Sequence, residues 1–258
     1  MELNIITCGS SNLLPSENSN LQLYKHFHDF HEIFILLAGQ IEFLLEDKII
    51  ELKPYQMAHA QPAQYHQAII GSGEFRRFVI HFYDTDNVVI NEVLQNLTLV
   101  DLADDERLSS FIERILYYEN NLSPEAYRLL IPGLINEFLI LLGLAHDNGN
   151  PSGQIQSHPI VKAAINYINK HLFEALSLKD IAASCNVHPN YLSRLFHHVM
   201  RIRLNDYIKN KQLMYARKLL REGHLPSQIF NKFGYSDYTC FSRAYHAYFG
   251  HPPSKDKV

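Results

Sequence analysis

The sequence predicts an α+β protein: an N-terminal β-barrel, then a helical segment, then an all-α domain with two helix-turn-helix units. Three observations carry this. Short apolar runs divided by turn residues fill the stretch from Tyr24 to Phe82, the pattern of a small sandwich or barrel. A helical period then replaces them between Asp101 and Ala145. Last, residues 190–200 recur at an offset of 49 in residues 239–249.

The strands come first. IFILLAG (Ile33 to Gly39) and QIEFLLEDKIIELKP (Gln40 to Pro54) are rich in β-branched and aromatic residues, with a turn at Glu46-Asp47-Lys48. RRFVIHF (Arg76 to Phe82) is a further strand. From Asp101 to Asn120 the residues Leu108, Phe111, Ile112, Ile115 and Leu116 recur at helical spacing and form one apolar stripe. Pro124 opens a second helix, with Leu130, Leu134, Phe138, Leu141 and Leu142 on its stripe. The Gly-, Pro- and Asn-rich run from Asp147 to Pro159 reads as a linker. These changes divide the 258 residues into a barrel (1–85), a helical segment (86–147), a linker (148–157) and a C-terminal domain (158–258).

Charge divides at the same place. Residues 1–156 carry 8 Lys+Arg against 21 Asp+Glu, a net of −13, and residues 157–258 carry 15 against 6, a net of +9, summing to the whole-chain −4. A polyanion partner is thereby expected for the C-terminal part alone. Cys8, Cys185 and Cys240 are too scattered for a disulfide framework or a metal site. The longest apolar run, Leu129 to Ala145, is interrupted by Pro132, Asn136 and Glu137, and no signal stretch opens the chain. A cytoplasmic protein without membrane contact is expected.

Site chemistry in the first half concentrates in histidines. His26 and His28 are two apart and face one side of a strand, Glu32 follows and His66 lies on a later segment. On an unbroken strand Glu32 would be roughly 13 Å from His28, so a shared site requires a turn, for which Asp29 is suited. The reading adopted is a pocket for a small polar effector, lined by Tyr24, His26, His28, Glu32 and His66, with neither metal nor cofactor. Structural residues of a barrel rim and a transition-metal site are the competing readings. His31 and His59 are expected to be structural or surface residues.

The duplication is more specific. NYLSRLFHHVM (Asn190 to Met200) aligns with TCFSRAYHAYF (Thr239 to Phe249), pairing Ser193 with Ser242, Arg194 with Arg243 and His197 with His246. In each copy an apolar stripe (Leu192, Leu195, Phe196, Val199; Phe241, Ala244, Tyr245, Tyr248) lies opposite a polar one. Short polar side chains with one arginine per helix suit base edges in a major groove, where arginine binds guanine through two hydrogen bonds. One such stripe is an ordinary solvated face; two, on a domain of net +9, point to DNA. No nucleophile–base pair or phosphate-cradling glycine loop is present, so no catalytic residue is assigned.

Residues 158–258 resemble the DNA-binding domain of the AraC/XylS family of bacterial transcription regulators, most closely over FGYSDYTCFSRAYHAYFGHPP (Phe233 to Pro253). KHFHDFHEIFILLAG resembles the cupin-like effector domain of the same family, making the expected barrel cupin-like and the helical segment a dimerisation element. The resemblance implies two helix-turn-helix units joined by a long helix from Leu204 to about Leu220. It places base contacts on Asn190, Ser193 and Arg194 and on Tyr238, Thr239, Ser242 and Arg243. His197, Lys209, Lys211 and Arg217 fall to phosphates. Arg201 stands where the family has glycine. The resemblance further implies a double-stranded DNA operator, RNA polymerase as partner, a homodimer, and activation of a carbohydrate or other catabolic operon, a sugar being one candidate effector. A metal-dependent cupin enzyme with a DNA-binding tail, and a regulator governed by a protein partner, are the alternatives.

Overall fold

The computed structural model describes residues 5–13, 27–70, 74–83, 87–146 and 155–256. Its N-terminal half contains β1 (Ile5–Leu13), β2 (His31–Ala38), β3 (Ile41–Leu45), β4 (Lys48–Leu52), β5 (Gln56–Ala60), β6 (His66–Ile70) and β7 (Phe75–Phe82). Helix α1 (Val88–Asn96), strand β8 (Leu99–Asp101) and helices α2 (Glu106–Asn121) and α3 (Pro124–His146) complete it. The expected sandwich or barrel takes the form of two sheets that do not close, ordered β1-β7-β2-β5-β8 and β6-β3-β4-β9, with β9 spanning Ile155–Ser157. The cause lies in the connections. β2 to β3, β4 to β5, β5 to β6 and β6 to β7 all cross between sheets, and only β3 and β4 form a hairpin, so the sheets meet through side chains.

β2 explains why IFILLA is continuously apolar. Phe34 and Leu36 point between the sheets, against Phe43, Ile50, Leu52 and Val79. Ile33, Ile35 and Leu37 point the other way, into a core with Phe78, Ile80, Phe111, Phe138 and Leu142. A strand buried on both faces needs no polar alternation. The helices therefore cover the outer face of the five-stranded sheet. On α3 the buried residues are Ile131, Leu134, Ile135, Phe138, Leu139 and Leu142, while Leu130 is 36% exposed, so the expected stripe is rotated by about one residue. Helix α3 is long and apolar enough to cross a membrane by length and composition, over Pro124–Ala145 at mean hydropathy 1.7, and here it packs on α1 and α2. The helix expected from Asp101 begins at Glu106, capped by Asp105, because Leu99–Asp101 pairs with β5.

Of the expected linker, Ile155–Ser157 is strand β9 on the edge of β4; residues 148–154 lie outside the described residues. Beyond it come α4 (Pro159–Lys170), α5 (Leu178–Ser184), α6 (Pro189–Met200), α7 (Leu204–Arg221), α8 (Pro226–Ile229) and α9 (Tyr238–Phe249). Two small cores form. One joins α4, α5, α6 and the first half of α7 through Ile165, Ile181, Leu192, Phe196 and Tyr207, and the other joins the second half of α7 to α8 and α9 through Leu213, Leu220, Ile229, Phe241 and Tyr245. Helix α7 is shared between them, which makes it the connecting helix.

Candidate functional site: two reading helices, a histidine cluster and a clasp

Helices α6 and α9 start from defined caps. Pro189 occupies the first turn of α6, whose cap His188 accepts from the Asn190 amide at 3.3 Å. Asp237 caps α9, accepting from the Cys240 amide at 2.8 Å. The faces divide as their period requires. Leu192, Phe196 and Met200 are buried on α6 and Phe241 and Tyr245 on α9. Asn190, Arg194, His197, Tyr238, Thr239, Arg243 and His246 are exposed, with Ser193 and Ser242 half-buried beside them. Tyr191, 45% exposed at the first turn of α6, joins this surface and is absent from the expected set. The helix-and-turn pattern before α9 is irregular: four residues of α8 pass into a 3-10 turn (Phe230–Phe233) that ends at Gly234, φ +73°.

The histidine cluster gathers residues from four segments. A bend at Asp29–Phe30 brings His28 back over Glu32, the turn that sharing a site requires. Glu32 Oε2 lies 3.3 Å from Nε2 of His28, 3.6 Å from Nε2 of His66 and 2.7 Å from Nε2 of His81. Nδ1 of His28 donates to the Phe30 carbonyl at 2.8 Å, and Nδ1 of His66 to the Gln64 carbonyl at 3.0 Å. Nε2 of His28 lies within hydrogen-bond distance of Glu32 Oε2, where the carboxylate is the acceptor. His28, Glu32 and His66 are brought together as expected. His81 is added through its register opposite Glu32 on β7. Tyr24 and His26 lie outside the described residues.

The donor set suits a divalent transition metal. Two ligands each 2.0–2.2 Å from one ion, at tetrahedral or octahedral angles, are about 3.0–3.4 Å apart. Ligand atoms of His28, Glu32 and His81 all lie within 4.8 Å of one another, while His66 stands outside that set. His31 and His59 form a separate buried pair, Nδ1 to Nε2 2.9 Å, stacked below Phe82. Burial and the neighbouring His31 press the His59 imidazole down to about 3, so it is a neutral structural group and not a surface one.

The third feature spans the two halves. Glu46, in the β3–β4 turn, accepts from Lys211 Nζ at 2.7 Å and from the Tyr207 hydroxyl, both on α7. Burial and the adjacent Glu46 carboxylate push Tyr207 well above the ordinary tyrosine range, which keeps it a donor. Phe27 packs between Tyr65 and Tyr207, with ring centroids 5.2 and 5.4 Å away. Farther along α7, Asp29 pairs with Arg217 (3.5 Å) and with Arg221, and Asp256 also reaches Arg217 at 3.2 Å. Lys211 and Arg217 are therefore corrected: they face Glu46 and Asp29 of the N-terminal half, and Lys211 is 3% exposed, so neither offers a charge to a phosphate in this arrangement. Lys209 remains exposed on α7. A cleft of about 250 Å³ beside the clasp is lined by Asp29, Tyr83, Tyr215, Lys218 and Arg221.

Residues 176–257 match the family described as a helix-turn-helix domain. The C-terminal domain of AraT, a response regulator from Geobacillus stearothermophilus, is 31% identical over 39% of this chain and 84% of that chain, with a TM-score of 0.37. The C-terminal part of the chain carries a helix-turn-helix domain. The chain is also similar to the Msm operon regulatory protein of Streptococcus mutans, 28% identical over 71% of this chain and 60% of the relative. The chain thus spans about three fifths of that relative's length. The melibiose operon regulatory protein of Escherichia coli is 22% identical over 77% of this chain and 71% of the relative. The matched residues take in α6 and α9, with α7 between them.

Proposed function

We propose that this chain is a sequence-specific, DNA-binding transcription regulator whose N-terminal domain binds a small polar effector. The observation that carries it is the matched pair α6 and α9. Each presents one exposed arginine, Arg194 and Arg243, with short polar neighbours, on a domain of net charge +9. Base contacts fall to Asn190, Ser193, Arg194, Tyr238, Thr239, Ser242 and Arg243, with His197 on a phosphate.

The effector pocket is built from His28, Glu32 and His66, with Tyr24 and His26 as further members. The regulator works in the cytoplasm and activates a carbohydrate or other catabolic operon through RNA polymerase. Relatives named for the Msm and melibiose operons support the operon assignment. It acts as a homodimer. Support comes from the groove of about 490 Å³ between α1 and α3, where Val89, Ile140 and Leu144 are exposed apolar residues. The relatives' names as regulators weigh against a metal-dependent cupin enzyme, the reading that the histidine cluster alone would favour.

The test is selection of duplexes from a random library by the purified full chain, followed by titration of the best duplex across a salt series. Specific binding whose logarithm falls linearly with the logarithm of salt is expected. Retention of no sequence above background would overturn the reading.

A further inference from the structure

Helices α6 and α9 expose matching positions. On α6 they are Asn190, Tyr191, Arg194, His197 and His198; at the offset of 49, α9 exposes Thr239, Cys240, Arg243, His246 and Ala247. At 100° per residue the buried Leu192, Phe196 and Met200 define one side of α6, and Arg194 stands opposite them. Asn190 and His197 lie on one flank of Arg194, and Tyr191 and His198 on the other. The second flank separates the two copies, since α9 has only a thiol and a methyl group there. Tyr191 is the third residue of α6, after Pro189 and Asn190, and its Cα–Cβ bond tilts toward the leading end of the helix. Its side chain is 45% exposed; among the described residues no aromatic ring stacks on it and no side chain bonds its hydroxyl. Tyr238, the exposed tyrosine of α9, differs, for its ring leans on Phe230 and Phe241, each 6.4 Å away between centroids.

We propose that Tyr191 is a specificity-determining residue, which lays its ring against the C5-methyl group of a thymine beside the base that Arg194 reads. This deepens the DNA-binding reading and rests on it. The major-groove edges of the bases offer hydrogen-bond donors and acceptors, and the thymine methyl is the one apolar group among them. An exposed ring that no other ring covers is matched by that group. The place on the helix suits the contact, since residues at the start of a recognition helix are those that reach base edges. Tyr191 and Arg194 are three apart, neighbours on the helix surface, so the two contacts fall on adjoining bases. A tyrosine also loses little freedom on docking, having two side-chain torsions. On α9 the much shorter Cys240 holds the equivalent position, so the first unit has a methyl contact that the second lacks.

The experiment uses the full chain and the duplex it selects, with each thymine replaced singly by deoxyuridine, which lacks only the methyl group. Wild type, Tyr191→Phe and Tyr191→Ala are compared by fluorescence anisotropy, and far-ultraviolet circular dichroism certifies each fold. Tyr191→Ala should weaken the selected duplex by about fivefold or more. One deoxyuridine, at a thymine adjoining the base pair whose preference Arg194→Ala relaxes, should weaken wild type and Tyr191→Phe by about fourfold. That is the worth of one buried methyl group, and Tyr191→Ala should not register it. Replacements elsewhere should act alike on all three proteins. A Tyr191→Phe loss as large as that of Tyr191→Ala would make the hydroxyl the contact, as on a phosphate, and overturns the proposal. The absence of any replacement whose effect depends on Tyr191 overturns it too. A wild type that selects no duplex sinks the regulator reading and this proposal with it; one that selects a duplex without a methyl effect sinks this proposal alone.

Discussion

Lys211 and Glu46 form an ion pair across the boundary between the two halves, 2.7 Å from Nζ to Oε1, with side chains only 4% and 11% exposed. The Tyr207 hydroxyl lies 3.0 Å from the same ammonium, so one short stretch of α7 supplies both donors to the carboxylate. Removing one partner of such a pair leaves a buried charge without compensation, at a cost of about 3–5 kcal/mol. Lys211→Met should destabilise the protein by that order in urea unfolding. Glu46→Gln added to Lys211→Met neutralises the remaining charge while keeping an oxygen for Tyr207, and should recover most of the loss. A double variant no more stable than the single would show that the pair is not what holds the halves together.

The second prediction comes from comparing the ends of the two reading helices. Arg201 closes α6 at φ +57°, its amide donating to the His197 carbonyl; Gly250 closes α9 at φ +76°, its amide donating to the His246 carbonyl. The positions are 49 apart, as are their acceptors. A left-handed conformation costs an ordinary residue roughly 1–2 kcal/mol, which glycine avoids. Arg201→Gly should therefore stabilise the C-terminal domain by about 1 kcal/mol, seen as a higher urea midpoint. An unchanged or lower midpoint would mean that the Arg201 side chain returns more than the backbone strain removes.

What the sequence discloses follows the distance over which each feature is encoded. The helix-turn-helix pair is legible because caps, stripes and the 49-residue offset are all local. His28, Glu32 and His66 are legible from spacing. His81 is not, because its place opposite Glu32 exists only once β7 has paired with β2 in this register. The clasp is hidden for the same reason: Lys211 and Arg217 look like surface cations until Glu46 and Asp29 arrive from more than 160 residues away. Helix α1 has nine residues and two buried positions, too little to announce a period. The choice between sandwich and barrel stays open in the sequence because strand patterns report burial and leave open which edges pair.

His59 gives a pH prediction with a definite sign. Its folded value, pressed to about 3, lies below the ordinary value of 6.5. Above pH 6.5 neither state holds the proton and its full contribution is present. Between 6.5 and about 3 the unfolded chain takes up a proton that the native pair refuses, so stability falls with acidity by up to ~1.4 kcal/mol per pH unit. His59→Gln should remove about one proton from the difference, flattening the fall in unfolding free energy between pH 6 and 4. Identical slopes in variant and wild type would place the acid sensitivity elsewhere, in the carboxylates.

The last prediction separates base contacts from phosphate contacts on the exposed faces. Arg243 and Arg194 project from the first half of their helices, where side chains reach base edges, and neither is drawn into the clasp. Lys209 lies on α7, two residues before the paired Lys211 and so on the opposite, exposed face, and has only its charge to offer. Arg243→Ala should cost about 1–3 kcal/mol on the selected duplex and relax preference at one base pair, with random-sequence DNA much less affected. Lys209→Ala should weaken selected and random DNA alike and lower the salt slope by about one. Fluorescence anisotropy at several salt concentrations measures both quantities on the same samples. Equal losses on selected and random DNA for Arg243→Ala would make it a backbone contact and leave base reading in the second unit to Tyr238, Thr239 and Ser242.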